Sequence, residues 1–193
     1  MRRIKETSTG HVGSGQWMQT SLIDIEKKST EKPDHRFGNL YGLLNRWNLS
    51  EAYRDLNKGA ASGVDGVSVK AFKTGLSKEA LKLEESLLKG SYRTKLVKRV
   101  YIEKTNGKKR PLGIPVVRDR LLQSACSRIL TSIYEPKFME YSFGYRRSRG
   151  ARAAVEYLSK KLNFSRVGYV LEMDIKGFFG ATRSDFFRTC HWI

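Results

Sequence analysis

Residues 92–114 read YRTKLVKRVYIEKTNGKKRPLGI and indicate that the fold includes a β-hairpin. Two strand-like runs, at 92–102 and 110–114, lie on either side of a turn that contains Asn106-Gly107. An Asn-Gly pair between two such runs is a strong local signal for an antiparallel hairpin, because both residues adopt positive φ readily. The sequence therefore predicts a two-stranded ribbon in the middle of the chain.

The predicted ribbon is densely cationic, and Glu103 is its one acidic residue. Its positive side chains include Lys95, Lys98, Arg99, Lys104, Lys108, Lys109 and Arg110. Crowding so many like charges costs free energy unless an anion neutralises them. Arginine offers a bidentate fork for phosphate and lysine a point charge, so the ribbon is predicted to bind a triphosphate or a nucleic-acid backbone.

The whole chain shares this charge bias. Its 193 residues contain 37 Lys and Arg against 19 Asp and Glu, a net charge of +18, and 39% of them are hydrophobic, which is enough for a packed core. A polyanion or an anionic membrane surface is the natural partner. No apolar run reaches the roughly 18 residues of a spanning helix, and no apolar signal segment opens the chain, so a cytoplasmic location is expected.

Apolar periodicity predicts several helices around the ribbon. Before it, we expect helices over 37–47, over 49–56 with Ser50 as N-cap, and over 76–87 with Ser77 as N-cap. Residues 1–36 are rich in Gly, Ser, Thr, Lys and Glu without sustained periodicity, and are expected to form a disordered leader.

After the ribbon, an amphipathic helix is predicted from Val117 to Glu135-Pro136, with Cys126 on its apolar side as a buried small hydrophobe. Arg118, Asp119, Arg120, Gln123 and Arg128 are assigned to its solvent side. Another helix is predicted over 151–162.

Two loops carry candidate binding residues. The loop at 57–66 contains three glycines and two alanines, so its backbone can approach another chain closely, although its spacing matches no common phosphate-binding loop and an ordinary hinge would look the same. Residues 141–150 read YSFGYRRSRG. Aromatics mixed with arginines suit contact with the bases and phosphates of a single strand or a heteroduplex, but aromatic anchors of an arginine loop give the same pattern.

Residues 168–179, GYVLEMDIKGFF, alternate in the manner of a half-buried strand with Glu172 and Asp174 on one face. Asp174 then lies near a strand end, where functional carboxylates of α/β sheets collect. A solvated acidic residue is the alternative interpretation. The pattern leaves both open.

Four ordered blocks, at 58–72, 100–138, 141–158 and 169–179, resemble the group II intron-encoded reverse transcriptase/maturase. The resemblance covers about 40–179 and implies an α+β fold, the fingers and first part of the palm of a right-hand polymerase. It implies a helical extension over 37–90, fingers over 91–166 and the start of a palm over 167–193.

The resemblance also implies roles for single residues. Asp174 matches the first catalytic aspartate, which binds Mg²⁺ together with the carbonyl of the next residue, here Ile175. Lys104 and Arg110 match residues that hold the triphosphate of the incoming nucleotide. Further matches to the nucleotide site are Arg146 and one of Phe178 and Phe179, which screens the sugar 2′-hydroxyl. The residues expected to contact RNA are Lys95, Lys98, Arg99, Lys108, Lys109, Gly63 and Arg149.

The implied activity is RNA-directed DNA synthesis on an RNA template with a DNA primer, dNTPs and Mg²⁺, together with binding of group II intron RNA. From Gly180 onward the chain departs from the family pattern, and no Asp-Asp pair occurs in the sequence. Two-metal chemistry needs several carboxylates. We therefore expect this chain to be a truncated, fingers-like RNA-binding module without polymerase activity of its own, and a non-catalytic RNA chaperone or splicing cofactor is the competing class.

Overall fold

The computed structural model describes residues 16–103, 107 and 109–175 of the chain. These residues form six α-helices and one two-stranded antiparallel sheet, which fits the predicted α+β class. The helices are α1 Gln16–Glu31, α2 Arg46–Ala52, α3 Val69–Phe72, α4 Leu76–Leu88, α5 Val117–Tyr134 and α6 Ala151–Phe164, and the strands are β1 Lys98–Glu103 and β2 Lys109–Ile114. Short 3₁₀ turns cover Leu40–Leu43, Tyr53–Asp55, Lys73–Gly75 and Glu135–Lys137.

The core forms around α5, which packs against α1 and α2, while α2 also packs against α4. The buried side chains of this core are Leu49, Ala52, Tyr53, Val69, Ala80, Leu83, Leu87, Val117, Leu121 and Ala125. The buried stripe of α5 and the end of this helix before Pro136 confirm the prediction from periodicity. Burying a leucine side chain fully contributes about 1.5–3 kcal/mol, so this helical core is the main source of stability in the described part of the chain.

The helix predicted over 76–87 is also confirmed, but two predicted caps are wrong. Helix α4 begins at Leu76 after Gly75, without a side-chain cap. Helix α2 is capped by Asn45, whose side-chain oxygen accepts hydrogen bonds from the backbone nitrogens of Trp47 (3.1 Å) and Asn48 (3.0 Å). Ser50 lies inside α2, and asparagine is at least as good an N-cap as serine.

The continuous helix predicted over 37–47 is wrong. Asn39 adopts a left-handed conformation with φ of 55°, and only a short 3₁₀ turn, Leu40–Leu43, follows it. A left-handed residue cannot continue a right-handed helix. The chain therefore enters α2 through a turn.

The disordered leader predicted over 1–36 is wrong for 16–31, which form α1. Helix α1 packs on α5, and the hydroxyl of the buried Ser29 donates a hydrogen bond of 2.6 Å to the carbonyl oxygen of Ile133. This partner lies more than a hundred residues away in the chain, so a local pattern gives no sign of it. Packing on α5 stabilises a helix whose own sequence periodicity is weak. Residues 1–15 lie outside the described residues.

The predicted hairpin is confirmed. Strands β1 and β2 pair from Lys98 opposite Ile114 to Glu103 opposite Lys109. Gly107 has a φ of 74°, which suits an Asn-Gly turn. Strand β1 starts at Lys98 instead of Tyr92, because Asp119 holds the preceding residues.

Asp119 is buried in the first turn of α5 and joins the hairpin to the helices. One of its carboxylate oxygens accepts a hydrogen bond from the Tyr92 hydroxyl at 2.6 Å, and the other accepts one from the backbone nitrogen of Lys95 at 3.0 Å. Burial and this hydrogen bond raise the pKa of Tyr92 above its usual value. The positive end of the helix dipole stabilises the carboxylate. The predicted position of Asp119 on the solvent side of α5 is wrong, because these contacts bury the carboxylate.

The strand predicted over 168–179 is wrong for 168–175. These residues have no regular secondary structure, and the side chains of Tyr169, Leu171 and Met173 are exposed. A strand needs a partner, and in the described part of the chain β1 and β2 pair only with each other. Residues 176–179 lie outside the described residues.

Two further predictions have mixed outcomes. Helix α6 forms as predicted, but Val155 and Leu158 on its apolar face are exposed. Cys126 is half-buried, and burial raises the pKa of its thiol, in keeping with a packing role.

Replacing Asp119 with alanine is expected to destabilise the chain by about 1–3 kcal/mol, because the Tyr92 hydroxyl and the Lys95 amide lose their acceptor. Urea denaturation followed by circular dichroism measures the change. Glu156→Ala is the control, since it removes an exposed ion pair on α6 and should change stability by less than about 1 kcal/mol. Equal stability of the Asp119→Ala variant and the parent would contradict the anchoring role.

Candidate nucleic-acid interface

The strand register divides the ribbon into two faces, because successive side chains of a strand point to opposite sides. One face carries Lys98, Val100, Ile102, Arg110, Leu112 and Ile114. The other face carries Arg99, Tyr101, Glu103, Lys109, Pro111 and Gly113. Each face therefore offers two cations, and Lys98, Arg99, Lys109 and Arg110 are all exposed. Lys104 and Lys108 lie outside the described residues.

The loop at 57–66 lies beside the start of the ribbon. The Asp65 carboxylate lies 3.8 Å from the Lys95 ammonium group, while the Lys95 backbone is held by Asp119. Arg120 of α5 donates a hydrogen bond of 2.9 Å to the Ala61 carbonyl oxygen. The loop, the base of the ribbon and the start of α5 thus form one connected surface.

Gly63 makes the close backbone approach that the sequence predicts, but the contact is with its own chain. A Cβ at this position would lie 2.7 Å from Cα and 2.8 Å from the backbone nitrogen of Val116. Real Cβ atoms are almost never found so close to backbone atoms. In this structure the glycine therefore serves packing against the residue before α5, and contact of Gly63 with RNA stays a prediction.

Arg146 anchors the segment 138–150, which we call the arginine loop. Its Nε and Nη2 donate to one carboxylate oxygen of Glu135 at 2.9 and 2.8 Å, and its Nη1 donates to the carbonyl oxygens of Met139 (3.0 Å) and Ser142 (2.8 Å). The guanidinium lies over the Phe138 ring at 5.1 Å, and the side chain is 7% exposed. The sequence left two interpretations of this segment, nucleic-acid contact and aromatic anchoring of an arginine loop. Arg146 is anchored on Phe138 as the second interpretation expects. Contact of Arg146 with a nucleotide stays a prediction.

A second contact fixes the arginine loop to α6. Arg149 lies over the Phe143 ring at 5.8 Å and donates a hydrogen bond to the Glu140 carbonyl oxygen. The Phe143 ring in turn packs against Tyr157 of α6, with ring centroids 5.5 Å apart. The loop is therefore held on both sides of residues 144–148.

Between these anchors the arginine loop borders a cavity of about 510 Å³ that is lined by both polar and apolar side chains. Asp55 accepts hydrogen bonds there from Arg128 of α5 at 2.9 Å and from Arg147 at 3.3 Å. Hydroxyl-bearing residues complete one wall, namely Ser124, Ser127, Thr131 and Ser132. The sequence showed that arginines cluster here but gave no sign that Asp55 would bridge two of them.

Tyr145 also borders this cavity, and its backbone is left-handed with φ of 57°. This conformation costs roughly 1–2 kcal/mol for a residue with a side chain. The side chain is fully exposed.

The described residues do not fit a complete Mg²⁺ site. Asp174 is exposed in the irregular segment, with the carbonyl of Ile175 next to it, and no group of three His, Cys, Asp or Glu in 16–103, 107 and 109–175 could hold a metal ion. Phe178 and Phe179 lie outside the described residues. Glu172 and Asp174 are the two carboxylates of the described segment 168–175, and the two-metal chemistry of phosphoryl transfer needs several.

Within the described part of the chain, no helix is both long and apolar enough to cross a membrane.

Comparison with known proteins gives relatives that include proteins named as intron-encoded, although no family model matches the chain. The group II intron-encoded protein LtrA of Lactococcus lactis is 38% identical over 161 residues, which cover 82% of this chain and 26% of the relative. Protein YkfC of Escherichia coli is 37% identical over 155 residues, or 76% of this chain and 40% of that protein. An uncharacterized 91 kDa protein in the cob intron of Schizosaccharomyces pombe is 31% identical over 186 residues, or 94% of this chain and 23% of the relative. The chain thus spans about a quarter of LtrA.

Gly63→Ala is expected to destabilise the chain by about 1–3 kcal/mol, because the added Cβ overlaps backbone atoms of Val116. Gly59→Ala in the same loop is the matched control, since the nearest atom would lie at an ordinary 3.5 Å. Thermal unfolding of the two variants and the parent measures the difference. Similar melting temperatures for both variants would contradict the packing role of Gly63.

Proposed function

Since this chain belongs to the group II intron-encoded reverse transcriptase/maturase family, we propose that it supplies the nucleic-acid-binding fingers of such a protein. The observation that carries the proposal is the exposed cationic ribbon, which Asp119 holds to the helical body. In this proposal, 37–90 are a helical extension, 91–166 the fingers of a right-hand polymerase and 167–193 the start of its palm.

The geometry of the ribbon supports binding to a phosphate backbone. Two cations lie on each face of the ribbon, so a nucleic-acid strand that runs along either face meets positive charge. The net charge of +18 favours approach of any polyanion from a distance. The ligand is the RNA of a group II intron, and Lys95, Lys98, Arg99, Lys108, Lys109 and Arg149 contribute to its binding.

The polymerase roles are proposals of the same kind. Lys104 and Arg110 would hold the triphosphate of an incoming dNTP, and Asp174 with the carbonyl of Ile175 would be this chain's contribution to a Mg²⁺ site. Bound Mg²⁺ would supply charge stabilisation for nucleotidyl transfer, in which the 3′-hydroxyl of a DNA primer on an RNA template attacks the α-phosphate of the dNTP and pyrophosphate leaves. A cytoplasmic location stays a prediction as well.

For the chain on its own, we propose RNA binding without DNA synthesis. The sequence has no Asp-Asp pair, and the described segment 168–175 offers two carboxylates, Glu172 and Asp174. A splicing cofactor that binds intron RNA with the same cationic surface is the alternative function. Both functions require the cations of the ribbon to be accessible to RNA, and Lys98, Arg99, Lys109 and Arg110 are exposed.

The affinity for single-stranded RNA is expected to fall steeply and linearly on a plot of log affinity against log salt concentration, because bound phosphates release counterions. Arg99→Ala should reduce the slope by about one unit. Lys82→Ala is the control and should leave the slope unchanged, since Lys82 is paired with Glu79 on α4. Fluorescence anisotropy measures the affinities. Competition by anionic lipid vesicles that equals competition by RNA would contradict the proposal.

The purified chain is expected to extend no DNA primer on an RNA template in the presence of Mg²⁺ and dNTPs, because no group of three His, Cys, Asp or Glu in the described part of the chain could hold a metal ion. Gel electrophoresis of a labelled primer checks this. If the chain does synthesise DNA, and Asp174→Ala abolishes the synthesis while Glu172→Ala preserves it, the proposed inactivity is wrong and the role of Asp174 is supported.

A further inference from the structure

We propose that Tyr145 and Arg147 of the arginine loop form a binding site for single-stranded nucleic acid, in which a base stacks on Tyr145 and a phosphate pairs with Arg147. This inference deepens the proposed function and rests on it. It moves the ligand contact away from Arg146, which the resemblance places at the nucleotide.

Arg146 is already used within the protein. Its three guanidinium nitrogens donate to Glu135 and to two carbonyl oxygens of its own loop, and only 7% of the side chain is exposed. A ligand could recruit this arginine only by breaking several charge-assisted hydrogen bonds. The same bonds tether the backbone between Tyr145 and Arg147 to Glu135 and to the rest of the loop.

The strained backbone of Tyr145 is not offset by any burial of its side chain. A bulky residue with a φ of 57° is an uncommon feature in proteins, and glycine would adopt this backbone without strain. The fully exposed ring buries no apolar surface that would offset the strain. Strained residues that the surrounding structure fixes in place cluster at ligand-binding positions. An exposed aromatic ring of this kind offers a stacking surface to an unpaired base.

Arg147 lies two residues further on and lines the same cavity. Its side chain is 87% exposed and shares Asp55 with Arg128, so one carboxylate faces two guanidinium groups. The excess positive charge suits a phosphate, which Arg147 can bind through its guanidinium fork. Arg128 then keeps Asp55 as its partner.

The site fits a single strand better than a duplex. Bases in a duplex are stacked on their neighbours, whereas the bases of a single strand are free to stack on an aromatic side chain. Stacking is tolerant of sequence because every base has a π face. The geometry therefore predicts binding of unpaired RNA or DNA with little sequence preference.

Tyr145→Gly in the full 193-residue chain tests the inference, because it removes the ring and keeps a residue that tolerates positive φ. The probe is a fluorescein-labelled oligouridylate of about ten nucleotides. We expect an affinity about tenfold lower than that of the parent, an unchanged salt slope and a melting temperature that does not fall. Tyr145→Phe should bind within about twofold of the parent, since the ring is retained.

Two further variants complete the experiment. Arg147→Ala should reduce the salt slope by about one unit. Tyr169→Ala is the matched control, because it removes another almost fully exposed tyrosine that lies outside the arginine loop and should leave the affinity unchanged.

The outcomes separate this inference from the proposed function. If the parent binds the probe with a steep salt dependence and Tyr145→Gly binds equally well, the inference is wrong and the proposed function stands. An affinity of Tyr145→Phe as low as that of Tyr145→Gly would also overturn stacking. If the parent does not bind the probe at any salt concentration, both are wrong.

Discussion

The buried carboxylate of Asp119 connects the two parts of this structure that carry its stability and its charge. The helices around α5 supply the buried core, whereas both strands of the ribbon are largely exposed and contribute little to it. An isolated two-stranded hairpin is marginally stable in water. The two hydrogen bonds that Asp119 accepts, from Tyr92 and from Lys95, fix the segment that leads into β1. Because that segment is fixed, the cations of the ribbon project from a defined place on the helical body.

Local signals in the sequence were enough for part of this fold. The Asn-Gly turn predicted the hairpin, and apolar periodicity predicted α4, α5 and α6. The features that were missed depend on contacts between distant residues, such as α1 on α5 and Tyr92 on Asp119. The alternation of apolar and polar residues at 168–175 also predicted a strand that the structure does not contain. Such a pattern shows that a segment could pair as a strand, but it does not show that a neighbouring strand is present.

For the candidate site, the sequence predicted which segments matter but not what each side chain contacts. The sequence identified where cations and aromatics are concentrated, and the ribbon and the arginine loop are both in those places. It could not distinguish an arginine whose donors are satisfied internally from one that faces solvent. Arg146 and Arg147 are neighbours in the chain, yet one is buried against Glu135 and the other is exposed beside Asp55. This difference decides which of them is available to a ligand.

Hydrogen–deuterium exchange of the chain with and without single-stranded RNA tests most directly whether the anchored ribbon is the nucleic-acid-binding surface. The structure predicts slower exchange in β1, in β2 and in the arginine loop when RNA is bound, with exchange in α4 unchanged. Unchanged exchange in both strands at RNA concentrations that saturate binding, with protection confined to α4, would contradict it.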